Sequence, residues 1–243
     1  MKLIVATHNE GKLIEIRRIL ETGLGPDAAR IELVSAGSLN LPDPVETGVT
    51  FQENALLKAR DVAERTGCPA IADDSGLIVD VMGNAPGILS ARWAGRHGDD
   101  AANNALLLAQ IADIPDAKRT ARFRCAAALV VPDTTGRDVD DVPVIIASDS
   151  PQSEAALADR YPIAEQVVEL GDMTGRIIHE PRGANGFGYD PLFEPDDQPE
   201  RAVADGEDGR LTSAELTSAE KNAISHRGKA LRALVPAIER LLH

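Results

Sequence analysis

The stretch Ala70-Ile71-Ala72-Asp73-Asp74-Ser75-Gly76-Leu77-Ile78-Val79 places two adjacent carboxylates between apolar runs. The first run, residues 69–71, predicts a β-strand that enters the core, and the acidic pair marks a break at its end. Carboxylates at such a position are unfavourable unless a cation or a proton offsets their charge. Because Mg²⁺ prefers carboxylate oxygens and retains water ligands, the stretch indicates a magnesium site.

Two interpretations of the acidic pair are open from these residues. Side chains alternate across a strand, so Asp73 and Asp74 are expected on opposite faces, with one of them facing the site. Alternatively, the pair belongs to a turn in which an aspartate accepts hydrogen bonds from local backbone amides.

The chain length predicts a single domain over residues 1–243, of a size that is common among α/β enzymes. The chain is 43% hydrophobic but only 3% aromatic, so Ala, Val, Leu and Ile must build most of the core. A net charge of −14 argues against a nucleic-acid polymer as partner, because a phosphate backbone requires a basic surface. A small phosphate ligand needs only a few local donors and remains compatible with this charge.

The cysteines and the N-terminus predict a reduced, soluble, cytoplasmic protein. Cys68 and Cys125 lack the paired spacing of a zinc site or a redox motif. The apolar run at residues 3–6 is too short for a signal peptide, and no later stretch approaches the length of a membrane span.

Hydrophobic periodicity predicts the main elements. Strands are expected at residues 2–6, 122–131 and 177–178, and helices at residues 12–20 and 104–112. Thr50 and Glu53 form a capping-box pattern before another helix. That helix has a predicted apolar stripe, which consists of Phe51, Ala55, Ala59 and Val62. A C-terminal helix over residues 231–242 contains Pro236, which should kink it or open its first turn.

Two acidic segments are expected to be solvated surface excursions. Acidic residues strongly outnumber basic ones over residues 133–172, where an insertion is predicted at about residues 138–165. A second acidic loop covers residues 194–208.

Three loops carry donors suited to a nucleotide. The loop Thr7-His8-Asn9-Glu10-Gly11-Lys12 precedes a helix whose N-terminal amides suit an oxyanion, although it lacks the Walker A pattern. The loop at residues 183–191 has glycines around Phe187 and Tyr189, which permits ring stacking on a flat ligand. The third loop covers residues 225–229, and its His226 and Arg227 are hydrogen-bond donors.

Each loop also has a purely structural interpretation. The first is otherwise a plain connection between a strand and a helix. The rings of the second would fill the core, and the third would be a solvated junction between helices.

Taken together, these segments resemble the inosine/xanthosine triphosphate pyrophosphatases. The matching segments, in order, are residues 7–12, 46–48, 51–55, 72–77, 86–87, 90–95, 186–193 and 225–228. The resemblance implies an elongated α/β fold with a central mixed sheet, flanking helices and two lobes around a nucleotide cleft, usually in a homodimer. It also implies Mg²⁺-dependent hydrolysis of non-standard purine triphosphates (ITP, dITP, XTP) to a monophosphate and pyrophosphate.

The resemblance assigns roles to individual residues. Asp74 matches the catalytic aspartate, as proton acceptor and metal ligand, and Glu46 is expected as the second metal ligand. Asp73 and Glu53 are candidates for the outer shell of the metal. The expected triphosphate contacts are Thr7, His8, Asn9, Glu10, Gly11, Lys12, Ser75 and Lys221.

The purine base is expected to contact the later loops. His226 and Arg227 would donate hydrogen bonds to a 6-oxygen and would oppose the amino group of adenine, which can discriminate by about 10⁴-fold. Phe187 is the first candidate for stacking and Tyr189 the second, with Gly188 between them. Asp190 would accept a hydrogen bond from a ring nitrogen.

Two other functions compete with this hypothesis. A related pyrophosphatase would prefer modified pyrimidine or standard triphosphates, and would hydrolyse dUTP faster than dITP. A non-catalytic nucleotide-binding protein would bind nucleotides without releasing pyrophosphate.

Overall fold

The computed structural model describes residues 1–135, 160–203 and 209–243, which form six strands and six α-helices. The strands are β1 Lys2–Val5, β2 Glu32–Ser35, β3 Ala70–Val79, β4 Thr120–Pro132, β5 Ile163–Ile177 and β6 Phe193–Pro195. The helices are α1 Glu10–Leu24, α2 Phe51–Thr66, α3 Asp100–Gln110, α4 Glu200–Val203, α5 Ser218–Ile224 and α6 His226–Arg240.

The strands form one mixed sheet in the order β2-β1-β3-β4-β5-β6. Strand β1 runs parallel to β2 and β3, whereas β5 and β6 are antiparallel. The predicted α/β class with a mixed sheet and flanking helices is therefore confirmed. No helix of the described residues is both long and apolar enough to cross a membrane.

The chain divides into two compact units, the first of which contains residues 1–74, 126–170 and 230–243. Leu3, Ile4 and Val5 of β1 are at most 1% exposed, as expected for a strand with neighbours on both edges. Helix α2 buries the predicted stripe of Phe51, Ala55, Ala59 and Val62. Helices α1 and α6 pack closely at Gly23. A Cβ atom at this position would lie only 2.7 Å from a methyl group of Val235.

The second unit contains residues 75–125 and 171–229. Its core gathers apolar side chains from β3, α3, β4 and β5, with Phe123 and Phe193 in an edge-to-face contact of 4.8 Å between centroids. The guanidinium of Arg119 is buried in this unit and donates to three backbone carbonyls, those of Ile111, Ile177 and Ile178.

Strand β3 continues without interruption through the acidic pair, so the predicted break is wrong and so is the turn. The pair does not end the strand because each aspartate meets a lysine from another element. Asp73 lies against Lys12, and Asp74 lies against Lys58.

The acidic segments are only partly surface excursions. Strand β5 begins at Ile163, so residues 163–172 belong to the sheet, and residues 163–170 are all at least partly exposed. Glu194 is only 3% exposed, because Arg176 and Arg210 form ion pairs with its carboxylate. Most of the predicted insertion at about residues 138–165 lies outside the described residues, as do residues 204–208 of the second loop.

Two local predictions at helix termini need correction. The hydroxyl of Thr50 accepts from the amide of Glu53, but the Glu53 carboxylate accepts from the amide of Val49, so the capping box is half formed. Pro236 lies inside α6, which begins at His226, so it does not open the first turn of that helix.

Candidate active site

In the first unit, a lysine bridges the two predicted metal ligands. Lys58 of α2 places its Nζ 2.8 Å from Oε1 of Glu46 and 3.3 Å from Oδ1 of Asp74. Glu46 lies in the loop before α2, and Asp74 lies on β3. The fold therefore brings together two carboxylates that are 28 positions apart in sequence (74 − 46).

A buried asparagine contacts the same aspartate. Asn54, 1% exposed, donates from Nδ2 to Oδ2 of Asp74 over 3.2 Å. Asn54 and Lys58 are four residues apart, so they lie on one face of α2. Neither residue was predicted from the sequence as part of the site, although two polar residues at this spacing beside the apolar stripe were a signal of a polar site.

Electrostatics in this cluster favour a bound cation or proton. Burial raises the pKa of Asp74 above its ordinary value of 3.8; Lys58 opposes this rise and Glu46 adds to it. Burial lowers the pKa of Lys58, but Asp74 and Glu46 together raise it above its ordinary value, so Lys58 stays charged. Two carboxylates around one ammonium leave one negative charge in excess when both are ionised.

The neighbouring Asp73 pairs with a different lysine. It is 5% exposed, and its two oxygens lie 3.4 and 3.3 Å from Nζ of Lys12 on α1. Asp73 and Asp74 thus reach different helices, as the alternation of side chains along a strand leads one to expect.

The loop at residues 7–12 is held by its own polar groups. Asn9 caps α1 by accepting from the amide of Lys12, and the hydroxyl of Thr7 accepts from the amide of Asn9. Nδ1 of His8 lies 2.7 Å from Oδ1 of Asp43, and its Nε2 lies 2.7 Å from the carbonyl oxygen of Leu41. Both ring nitrogens of His8 therefore lie within hydrogen-bonding distance of an oxygen.

The two remaining residues of that loop have different contacts. Glu10 accepts a hydrogen bond from the hydroxyl of Ser35. A Cβ on Gly11 would lie 3.1 Å from the side-chain oxygen of Asn9, so the turn is tight around the cap.

In the second unit, the two predicted stacking residues have different environments. The ring of Phe187 is 67% exposed, whereas Tyr189 is 4% exposed and donates its hydroxyl to the carbonyl of Ser90. Burial raises the pKa of Tyr189 well above its ordinary range. Only the Phe187 ring of this pair is open to a ligand in the structure.

A buried aspartate organises the turn that carries Phe187. Oδ2 of Asp190 accepts from the amide of Phe187 over 2.9 Å and from Nζ of Lys221 over 2.5 Å. The same Nζ lies 5.2 Å from the centroid of the Phe187 ring. Gly186 must lack a side chain, because its φ is +79° and a Cβ would lie 2.1 Å from Oδ2 of Asp190.

The third predicted cluster lies at the start of α6. The ring of His226 stacks on Phe123 with centroids 5.1 Å apart, and Arg227 is 7% exposed. Ser225 is also buried and accepts from the amide of Gly228, so the solvated-junction interpretation is wrong. In the same unit, Gly188 donates its amide to Asp100, and Ser75 is half-buried on β3.

The donor set of the first unit fits a magnesium ion. Across the part of the chain that the structure describes, no group of three or more histidine, cysteine or acidic residues is arranged to hold a metal. Mg²⁺ does not require such a group, since one or two carboxylates, waters and substrate phosphates satisfy it. Glu46 and Asp74, drawn together by Lys58, supply two carboxylates.

Comparison with known proteins identifies the family. The Ham1 family model matches residues 3–237. A dITP/XTP pyrophosphatase of Bifidobacterium longum subsp. infantis is 72% identical, with all of both chains covered. The crystal structure of a nucleoside-triphosphatase / dITP/XTP pyrophosphatase from Mycobacterium abscessus is 44% identical with a TM-score of 0.65, covering 97% of this chain and 100% of that one.

A HAM1 protein from Coxiella burnetii is also similar, at 34% identity and a TM-score of 0.71, with 99% of each chain covered. These matches span nearly the full length of the sequence, and they include the segments on which the resemblance was based. The chain belongs to the Ham1 family.

Proposed function

We propose that the chain is a nucleoside triphosphate pyrophosphatase that hydrolyses dITP, ITP and XTP between the α- and β-phosphates. The products are the nucleoside monophosphate and pyrophosphate. The observation that carries this proposal is the Asp74–Lys58–Glu46 cluster, in a chain whose 72%-identical relative is named a dITP/XTP pyrophosphatase.

Asp74 is the proposed general base. The Asp74 carboxylate, held by Asn54 and Lys58, is in place to accept a proton from the attacking water. Asp74 and Glu46 would hold Mg²⁺, which supplies neutralisation of charge on the phosphates. Lys58 keeps the two carboxylates close while no phosphate is bound.

The triphosphate and the purine base of the substrate are assigned to the remaining loops. Lys12 and Lys221 are held beside the buried Asp73 and Asp190, so each ammonium is available in a fixed place for a phosphate oxygen. Phe187 offers its exposed ring for stacking on the purine. His226 and Arg227 are proposed to donate to the 6-oxygen that distinguishes hypoxanthine and xanthine from adenine.

The homodimer and the cytoplasmic location stay predictions of the family resemblance and of the sequence. A nucleic-acid polymer is not expected as partner, because the net charge is −14.

The reaction is tested by measuring pyrophosphate release with Mg²⁺ from dITP, XTP, dGTP, dATP and dUTP. We expect fast turnover of dITP and XTP and slow turnover of dATP. Preference for dUTP would identify a pyrimidine pyrophosphatase, and nucleotide binding without release would identify a binding protein; both results reject the proposal.

A further inference from the structure

The side-chain amide of Asn54 joins two segments of the candidate site. Its Oδ1 accepts from the backbone amide of Gly48 over 2.8 Å, and its Nδ2 donates to Oδ2 of Asp74 over 3.2 Å. Gly48 lies two residues after Glu46, in the loop that carries the predicted metal ligand. One buried amide therefore contacts both this loop and the proposed base.

The placement of Asn54 is not what core packing alone favours. The neighbouring buried positions of α2 are apolar, among them Phe51, Ala55 and Ala59. An amide in such surroundings is unfavourable unless both of its ends are hydrogen-bonded, whereas an apolar side chain carries no such requirement. Both ends of Asn54 are satisfied, and both partners belong to the candidate site.

The loop passes directly against this amide. A Cβ on Gly48 would lie 2.6 Å from Oδ1 of Asn54 and 2.7 Å from Cβ of Glu53. Glycine is therefore required here for a close approach of the backbone to Asn54. The contact fixes the separation between the Glu46 loop and β3.

We infer that Asn54 is a positioning residue, which orients the carboxylate of Asp74 relative to the loop that carries Glu46. The inference rests on the proposed function and adds a residue to it. Asn54 occupies Oδ2 of Asp74 while Lys58 lies beside Oδ1, so the orientation of the carboxylate is set from two sides. Such supporting contacts are what hold a reactive group in productive geometry.

Two substitutions separate the two ends of the amide. Asn54→Asp keeps an acceptor for the Gly48 amide but replaces the donor that faces Asp74 by an oxygen. Asn54→Leu removes both hydrogen bonds. The matched control is Asn103→Asp in α3, because Asn103 is 2% exposed and its amide joins two backbone groups, the amide of Ala94 and the carbonyl of Ala91.

The kinetic expectation is a selective loss of turnover. Folded Asn54→Asp protein should lose about 10- to 100-fold in kcat for dITP, with KM unchanged, as is typical when a supporting contact of a metal or catalytic ligand is removed. Asn103→Asp should lower the unfolding temperature but leave kcat per folded molecule unchanged. A normal kcat in folded Asn54→Asp overturns the inference.

Hydrogen exchange provides a readout that does not depend on activity. The Gly48 amide should exchange slowly in the wild type and in Asn54→Asp, and rapidly in Asn54→Leu, because only the last variant lacks its acceptor. An unprotected Gly48 amide in the wild type would contradict the proposed link.

The two proposals fail in distinguishable ways. Absence of pyrophosphate release by the wild type rejects the function, whereas wild-type release with unchanged kcat in the Asn54 variants rejects only the positioning role. If Asn54→Asp does not fold, Gly48→Ala replaces it, since the added methyl displaces the Glu46 loop from Asn54 while every reactive side chain keeps its chemical identity. Unchanged kcat in Gly48→Ala would then overturn the inference.

Discussion

At the scale of single residues, the central feature is one ammonium between two carboxylates. The side chain of Lys58 is 15% exposed and that of Asp74 is 13% exposed, so water screens their interaction only weakly. Periodicity along α2 predicts which residues are buried, but it does not reveal which distant side chains those residues will meet. For this reason the sequence identified Asp74 and Glu46 by resemblance and missed Lys58 and Asn54.

Replacing Lys58 by methionine should destabilise the fold. The variant leaves the carboxylates of Asp74 and Glu46 without their shared cation, so the free energy of unfolding should fall by about 1–3 kcal/mol. Urea denaturation measures the change.

The control for this prediction is Lys229→Met. The pair of Lys229 with Asp197 is largely exposed, and such pairs contribute about 1 kcal/mol or less. If the free energy of unfolding falls equally in the two lysine variants, the ion pairs of Lys58 with Glu46 and Asp74 stabilise the fold no more than an exposed pair does.

At the scale of elements, the sequence predicted best what depends on local spacing. The α2 stripe is buried as predicted because the 3.6-residue period reports a helix face directly. The end of β3 was predicted wrongly, because the lysines that offset the charges of Asp73 and Asp74 come from α1 and α2. The start of β5 was missed because its acidic residues resemble those of a surface loop, and residues 163–170 are all at least partly exposed.

The N-terminus of α5 should depend on pH through Glu220. This carboxylate closes a capping box with Thr217. Its hydrogen bond to Arg201 and the backbone hydrogen bond of Thr217 lower its pKa from 4.5 to about 2. A lowered pKa means that the stabilisation is fully present above pH 4.5 and is lost as the pH falls towards 2.

Thermal unfolding of wild type and Glu220→Gln measures this contribution. The difference in unfolding temperature should be largest above pH 4.5 and should shrink towards pH 2. A difference that does not change across this range would show that Glu220 has no depressed pKa in the folded protein.

At the scale of the whole molecule, chain length indicated an α/β domain, and the family resemblance predicted the α/β fold with its mixed sheet. The predicted acidic insertion ends earlier than expected, because strand β5 already begins at Ile163. Arg160 pairs with Asp61 and Glu64 of α2, and Tyr161 is 1% exposed with its amide bonded to the Glu64 carbonyl. These contacts anchor the chain to the first unit before β5 begins.

Deletion of residues 138–159 should therefore spare activity. The deletion removes most of the acidic insertion but keeps Arg160 and Tyr161, so kcat for dITP should stay at the wild-type value in a pyrophosphate-release assay. A large fall in kcat would show that the insertion contributes to the site.

Asp74, and not its neighbour Asp73, is the proposed general base of the pyrophosphatase. The most direct test compares Asp74→Asn with Asp73→Asn in pyrophosphate release from dITP, with folding and nucleotide binding measured on the same samples. We predict that Asp74→Asn binds dITP but loses about 10²- to 10⁴-fold in kcat, the usual contribution of a general base. Asp73→Asn should mainly raise KM, because it releases Lys12 from its partner. Near-normal kcat in Asp74→Asn, or an equal loss in both variants, would reject Asp74 as the general base.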